Sequence, residues 1–283
     1  MSLEITLAVL LAALLHASWN AMIKGGSDVL LDTATIVAGA GLIAFPFLFV
    51  VPLPNAASWP YIFGSIITHL AYYFLMVNAY RTGELSLVYP LMRGVAPLIT
   101  AVLGIVWLRE LPAPLSWAGM LLISLGVIAL ALRPTGHAPV LLGHGRAVGF
   151  ALGNAAVIAV YTIIDGTGAR LAGNPWSYIV WLFLLDALPF SIYMLATRKR
   201  AFVVALSERR RHGLIGGALS AGAYAISVWA MTKAPVALVA SLRETSVLFA
   251  TLIGARLLKE RLTARRWAGV GAVVIGVMAL KAT

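Results

Sequence analysis

Residues 108–130 and 258–280 carry nearly the same pattern at an offset of 150 positions. The first reads LRELPAPLSWAGMLLISLGVIAL and the second LKERLTARRWAGVGAVVIGVMAL. In register, Leu108/Leu258, Glu110/Glu260, Trp117/Trp267, Ala118/Ala268, Gly119/Gly269, Gly126/Gly276, Val127/Val277, Ala129/Ala279 and Leu130/Leu280 are identical. The same offset pairs Arg93 with Arg243 and Gly104 with Gly254. The chain therefore reads as a duplicated unit. A duplicated, very apolar chain is the sequence signature of a secondary transporter whose site lies between two repeats.

Composition names the solvent. The 283 residues are 61% hydrophobic and 11% charged, whereas soluble domains carry about 25% charged residues. A core of this length cannot hide so much apolar surface from water, so lipid is expected around it. The formal charge of +11 would suggest nucleic acid in a soluble protein. Here the basic residues sit mainly in short loops between apolar runs, the pattern of membrane topology, so no nucleic-acid partner is expected. Without cysteine there is no disulfide, thiolate metal site or cysteine nucleophile. The run from Ile5 to Ile23 lacks the basic segment of a signal peptide, and many apolar runs follow it, so it reads as a retained first helix.

A helix crosses a bilayer with about 20 apolar residues. Ten runs qualify: 4–24, 31–51, 58–80, 85–108, 114–132, 146–165, 175–197, 212–232, 236–257 and 264–281. The second and third are parted only by VPLPNAASWP, a Pro/Asn turn inside a charge-free stretch from Thr33 to Tyr80. The expected fold is an all-α polytopic membrane protein of ten transmembrane helices: an N-terminal five-helix repeat (1–135), a connecting loop (136–145) and a C-terminal five-helix repeat (146–283). Five is odd, so the second repeat enters from the opposite side and the repeats are inverted. Loops after the seventh run (Arg198, Lys199, Arg200, Arg209, Arg210, Arg211) and the ninth (Lys259, Arg261, Arg265, Arg266) are strongly basic, and Arg133 and Arg146 follow the fifth. Those after the second and fourth carry little beyond Arg109. The positive-inside rule puts the basic loops in the cytoplasm and both termini outside. Gly39 with Gly41, Gly149 with Gly153, Gly216 with Ser220, and Gly269, Gly271 and Gly276 mark expected close approaches between helices.

At the repeated LxE…WAG…G pattern the chain resembles the drug/metabolite transporter superfamily, and within it the ten-helix EamA-type carriers. Glu110 and Glu260 match the acidic residue those proteins place after the fourth and ninth helices. Gly119/Gly126 and Gly269/Gly276 match glycines of their fifth and tenth helices. LLHASWNAMIKGG and SLVYPLMRGVAPL are similar to one subgroup, and the resemblance covers essentially the whole chain. It implies transport of small organic metabolites across a bacterial inner (plasma) membrane by a monomer or weak homodimer. The family handles amino acids, sugars, nucleotide-sugars, purines and drugs. Bacterial exporters of amino acids, aromatic ones included, are similar in size and build, an argument by analogy.

Ionisable residues inside a membrane cost about 2.5–3.5 kcal/mol on insertion scales, so each is a functional candidate. Arg93 and Arg243 occupy equivalent places in the fourth and ninth runs. A guanidinium offers a fixed fork for a carboxylate. Either they hold an anionic group of a substrate, or they are structural, with Arg243 paired to Glu244 and Arg93 snorkelling to the interface. Pro90 and Pro97 bracket Arg93 and either break the helix at a cavity or simply kink it. His16 and Asn20 share a face of the first run; His69, Tyr73, Met76 and Tyr80 form a stripe on the third, and Tyr224, Ser227 and Trp229 on the eighth. They line an aromatic, weakly polar cavity, or else serve as glue and packing between helices. Trp59, Trp176, Trp181 and Trp267, near run ends, read as an interfacial belt. Asp165 falls at the end of the sixth run as a boundary charge. Asp186, deep in the seventh, is either a proton site or a cap for backbone freed by Pro189. Glu110 and Glu260 read as loop anchors or gate elements.

The expected function is secondary transport, with His16, Asn20, His69, Tyr73, Arg93, Tyr224 and Arg243 as the substrate-binding set. Amino-acid export would proceed by rocking of the two halves, with a small-molecule substrate and membrane lipid as partners. Coupled protons, through a histidine or Asp186, are one option for the driving force and downhill exit is the other. No GxxxxGK[ST] loop occurs, so the chain carries no ATPase of its own. HExxH and GxSxG are absent, and His137 and His144 sit in a loop without acidic neighbours, so neither an enzyme nor a metal or cofactor is expected. A channel would need charge rings or a filter-like glycine loop.

Overall fold

The computed structural model describes residues 1–24, 28–83, 85–131, 145–258 and 264–282. Among them no strand occurs, and the α-helices are α1 (Leu3–Lys24), α2 (Val29–Ala44), α3 (Trp59–Thr82), α4 (Leu85–Leu103), α5 (Pro114–Ala131), α6 (Gly145–Leu171), α7 (Pro175–Glu208), α8 (Arg210–Met231), α9 (Val236–Arg243), α10 (Ser246–Leu258) and α11 (Ala264–Lys281). Eight stretches of the described residues are long and apolar enough to cross a membrane, the last running from α9 into α10, and Pro114–Leu130 is a shorter apolar helix. Leu3, Leu7, Leu11 and Leu14 form an exposed stripe on α1, and Phe63, Ile67, Leu70 and Phe74 another on α3. Stripes of that length are the surface that lipid covers.

Local chemistry sets the helix ends. Asp28 caps α2 by accepting from the Leu30 and Leu31 N–H groups at 3.1 and 3.2 Å. Asn174 caps α7 ahead of Pro175. α7 has 34 residues, about 51 Å at the helical rise, against a hydrocarbon core about 30 Å thick. It leaves helical geometry at Arg198 (φ −138°, ψ 37°), where Lys199 and Arg200 follow. α4 runs unbroken through Pro90 and Pro97, so these prolines do not break it. The break lies in the ninth run, at Glu244–Thr245, where no proline stands. There the Ser241 and Thr245 hydroxyls donate to the Ala237 and Leu242 carbonyls (2.8 and 2.7 Å), back-bonding that bends helices.

Two groups of helices form the centre. α6 packs against α3 and α4, while α1 packs against α8, α9 and α10. Each copy of the duplicated unit thus gives its first helix to the other copy. Glycines make room for the exchange: Gly222 on α8 lies under Leu15 of α1, and Gly64 on α3 lies under Ile164 of α6. The two copies are therefore interleaved at α1 and α6. α2 flanks the centre against α7 and α8, and α5 packs against α11. In that last pair Gly119 faces Gly276 and Gly126 faces Gly269, each close enough that an added Cβ would lie 2.7–3.0 Å from the opposing carbonyl oxygen. The order of contacts reverses along the chain, so these equivalent helices cross antiparallel. A Cβ on Gly39 would overlap the Gly213 carbonyl across α2 and α8, whereas Gly149 and Gly271 meet no atom of the described residues within 4 Å.

Candidate functional site

Arg93 on α4 pairs with Glu244 at the α9–α10 break, Nε to Oε2 2.8 Å, with side chains 8% and 5% exposed. The N–H is not aimed along that line, and Arg93 Nη2 is also buried without an aligned acceptor. The pair cancels charge and keeps hydrogen-bonding capacity. Glu244 does not pair with its neighbour Arg243, because adjacent residues on a helix do not face each other. Arg243 instead lies over the Tyr224 ring of α8, 5.2 Å from the centroid, a cation–π contact. Among the described residues it forms no ion pair.

These three side chains, with Pro97, Thr100 and Thr162, line a narrow cavity with room for about one water. Two cations and one anion leave its wall positive. Thr100 and Thr162 donate back to the Ala96 and Ile158 carbonyls (2.9 and 2.7 Å), so their oxygens remain available as acceptors. Beside the cavity stands an aromatic group. The His69 ring of α3 meets the edge of Tyr161 of α6 at 4.7 Å and of Tyr224 at 6.1 Å, and Tyr72 meets Tyr161 at 6.2 Å. His69 Nδ1 lies 3.1 Å from Asp186 Oδ1. Asp165 is not a boundary charge: α6 continues to Leu171, and Asp165 is fully buried. It accepts from Tyr178 Oη at 2.8 Å and from Tyr224 Oη.

Of the expected binding residues, His69, Arg93, Tyr224 and Arg243 come together here. His16 on α1 is near enough for the charges of Arg93 and Arg243 to act on it, and its ring meets Trp19 at 5.1 Å. The Asn20 amide turns back to donate to the His16 carbonyl at 2.8 Å. Tyr73 stacks on Phe190 of α7 at 4.9 Å and is not part of the cavity wall. Tyr161 and Asp165, which the sequence reading does not single out for binding, stand beside the cavity and are not part of its wall. Asp165 is the legible one, an acid inside YTIIDGTG that the sequence reading places at the very end of the sixth run.

A second constellation ties the segment after α4 and the end of α6 to the start of α9. Glu110, after α4, pairs with Arg170 of α6 at 2.7 Å and accepts the Val236 N–H at 2.8 Å. Arg170 also donates to the Met231 and Ala234 carbonyls at 2.8 and 3.1 Å. Glu110 thereby caps α9, whose far end carries Arg243. Its sequence counterpart Glu260, with Lys259, Arg133, His137 and His144, lies outside the described residues. Among the described residues no group of three His, Asp or Glu side chains is placed to hold a metal.

Among known proteins, the sequence pattern described as "EamA-like transporter family" matches residues 3–132 and again residues 145–281. The fold is similar to that of a solved protein described only as "Crystal structure of protein". The TM-score is 0.73, at 17% identity over 98% of this chain and 94% of that one, a likeness that speaks to fold alone. No curated protein matches.

Proposed function

The chain belongs to the EamA-like transporter family, and from that premise we propose that it exports amino acids, apolar and aromatic ones included, by alternating access at a site between inverted repeats. The family is one of membrane transporters of small metabolites rather than of enzymes. The observation that carries the substrate reading is the charge of the cavity wall. Arg243 has no ion-pair partner among the described residues, and Glu244 keeps one oxygen without an aligned donor. An α-amino acid brings the complementary pair, a carboxylate for the guanidinium and an ammonium for the carboxylate. His69, Tyr161 and Tyr224 offer ring edges to its side chain.

The antiparallel crossing of α5 and α11 supports inverted repeats of five helices each. The exchanged packing favours a cycle in which α3, α4 and α6 move against α1, α8, α9 and α10. Loop charge supports a cytoplasmic place for the basic segment 198–211 and outward termini.

The test is counterflow in proteoliposomes with a panel of radiolabelled amino acids. Wild type is expected to exchange at least one of them, and Arg243→Ala to lose that exchange at unchanged folded yield. Each charge-assisted hydrogen bond lost is worth about 1.5–3 kcal/mol, roughly ten- to a hundredfold in affinity. Arg243→Lys, which keeps the charge without the fork, should fall between. No exchange of any amino acid by wild type would remove this reading in favour of nucleosides, sugars or lipophilic cations.

A further inference from the structure

We propose that Asp165 is a proton-binding site that couples the carrier to a proton gradient, an inference that rests on the transport reading above. Among the described residues, every other acid that is not fully exposed has a cation beside it: Asp28 has Arg198, Asp32 has Arg209, Glu110 has Arg170, Asp186 has His69 and Glu244 has Arg93. Asp165 is fully buried and forms no ion pair among the described residues; its oxygens are met by hydroxyls, Tyr178 on one and Tyr224 on the other, with Ser65 of α3 also in reach. A buried carboxylate without an ion-pair partner is costly inside a membrane when ionised, and taking up a proton removes the charge.

The place of these bonds links that proton to transport. Asp165 belongs to α6, packed with α3 and α4, while Tyr224 belongs to α8, packed with α1. The hydrogen bond between them therefore crosses from one group of helices to the other. The Tyr224 ring also carries the Arg243 guanidinium on its face. A carboxylate accepts from a hydroxyl about twice as strongly as a neutral acid does. When a proton from water binds the carboxylate, an O–H bond forms at Asp165 and the bond from Tyr224 weakens, freeing the ring that positions Arg243. Release of the proton to the opposite side restores it. Proton and substrate thus act on one shared element.

The titratable surroundings are few. His69 faces Asp165 from α3, with Asp186 of α7 behind it. Tyr178 faces it from α7, Tyr224 from α8 and Tyr161 from one turn earlier on α6. Arg243 of α9 lies beyond Tyr224, and the Arg93–Glu244 pair of α4 and the α9–α10 break lies beyond Tyr161. His69 and Asp186 are part-exposed (14% and 16%), so a proton has titratable stepping stones toward the buried acid.

Infrared difference spectra of the membrane-reconstituted chain, taken between mildly acid and mildly alkaline buffer, test the site without any substrate. Wild type is expected to show a protonated-carboxyl band in acid that vanishes in alkali and is missing in Asp165→Asn. A spectrum unchanged by the substitution would overturn the proposal. Tyr178→Phe provides a second handle: it removes one donor that stabilises the charged form, so the band should vanish at higher pH, and an unmoved midpoint counts against the assignment. Radiolabelled L-leucine and L-phenylalanine then read coupling. With no pH gradient, counterflow tests the carrier itself. With an imposed gradient, wild type should accumulate label, and Asp165→Asn should keep counterflow while losing that accumulation. Wild-type counterflow that ignores the gradient would sink the proton proposal and leave the carrier standing. Absence of counterflow for both probes would count against the amino-acid reading, and the infrared result alone would then decide this one.

Discussion

Replacing Arg93 by methionine leaves Glu244 in place, 5% exposed and without its cation. Stranding one member of a buried pair costs about 3–5 kcal/mol, whereas replacing both members by neutral groups is often close to harmless. Arg93→Met is therefore expected to lower the thermal midpoint in detergent sharply, and adding Glu244→Gln should recover most of the loss. Arg243→Met strands no carboxylate and should cost much less. Tryptophan fluorescence on heating measures all three, and an Arg93→Met protein as stable as wild type would show the pair to be idle. The sequence made both arginines conspicuous, because a guanidinium in an apolar run stands out. It could not assign their partners. Glu244 is next to Arg243 along the chain, yet adjacent helical residues diverge, and the true partner comes from α4, half the chain away. Asp165 was hidden for another reason: the apolar run ends on it, whereas α6 continues to Leu171 through glycines that neighbouring helices in a membrane tolerate, Gly166 admitting Val236 and Gly168 the Tyr178 ring.

Apolar run length made the helices themselves legible, because the bilayer imposes a minimum that few other structures reach. The positions of breaks were not, since proline advertises a break it does not make in α4, while Ser241 and Thr245 accompany the real one quietly. Glycine spacing was ambiguous in the same way: it marks positions where helices can approach, not which helix arrives. Gly39 and Gly149 separate the cases. A methyl on Gly39 meets the Gly213 backbone, which cannot swing aside as a side chain would. Gly39→Ala should cost about 1–3 kcal/mol by overpacking, seen as a lower midpoint and a smaller monodisperse fraction. Gly149 is exposed with no atom of the described residues within 4 Å, so Gly149→Ala should be neutral or gain up to about 1 kcal/mol of helix propensity. Equal effects at the two positions would contradict the α2–α8 contact.

At the scale of the whole molecule, the duplication reveals which helices are equivalent but is silent on which pack together, because both copies present the same faces. The exchange of α1 and α6 therefore emerges only in three dimensions. It changes what a gate has to join: a closing contact must bridge α3, α4 and α6 to α1, α8, α9 and α10. The Glu110–Arg170 constellation does this, since both residues lie on the first group and reach the Met231, Ala234 and Val236 backbone of the second. On that argument it holds one end shut. The ion pair is part-exposed (30% and 17%), which limits its worth to about 1 kcal/mol, so breaking it should shift the closed population about fivefold rather than unlock it. The chain has no cysteine, so Ala240→Cys on the cavity wall would be its sole thiol. Adding Glu110→Gln, which deletes the charge and keeps an acceptor for Val236, should raise the labelling rate by a membrane-impermeant thiol reagent about fivefold from the Glu110 side. From the opposite side the rate should stay level or fall. If labelling rises equally from both sides, the substitution has loosened the bundle as a whole and Glu110 is an anchor. If it rises from neither, the latch does not govern access, and the closed end must be held by packing among the apolar side chains around it.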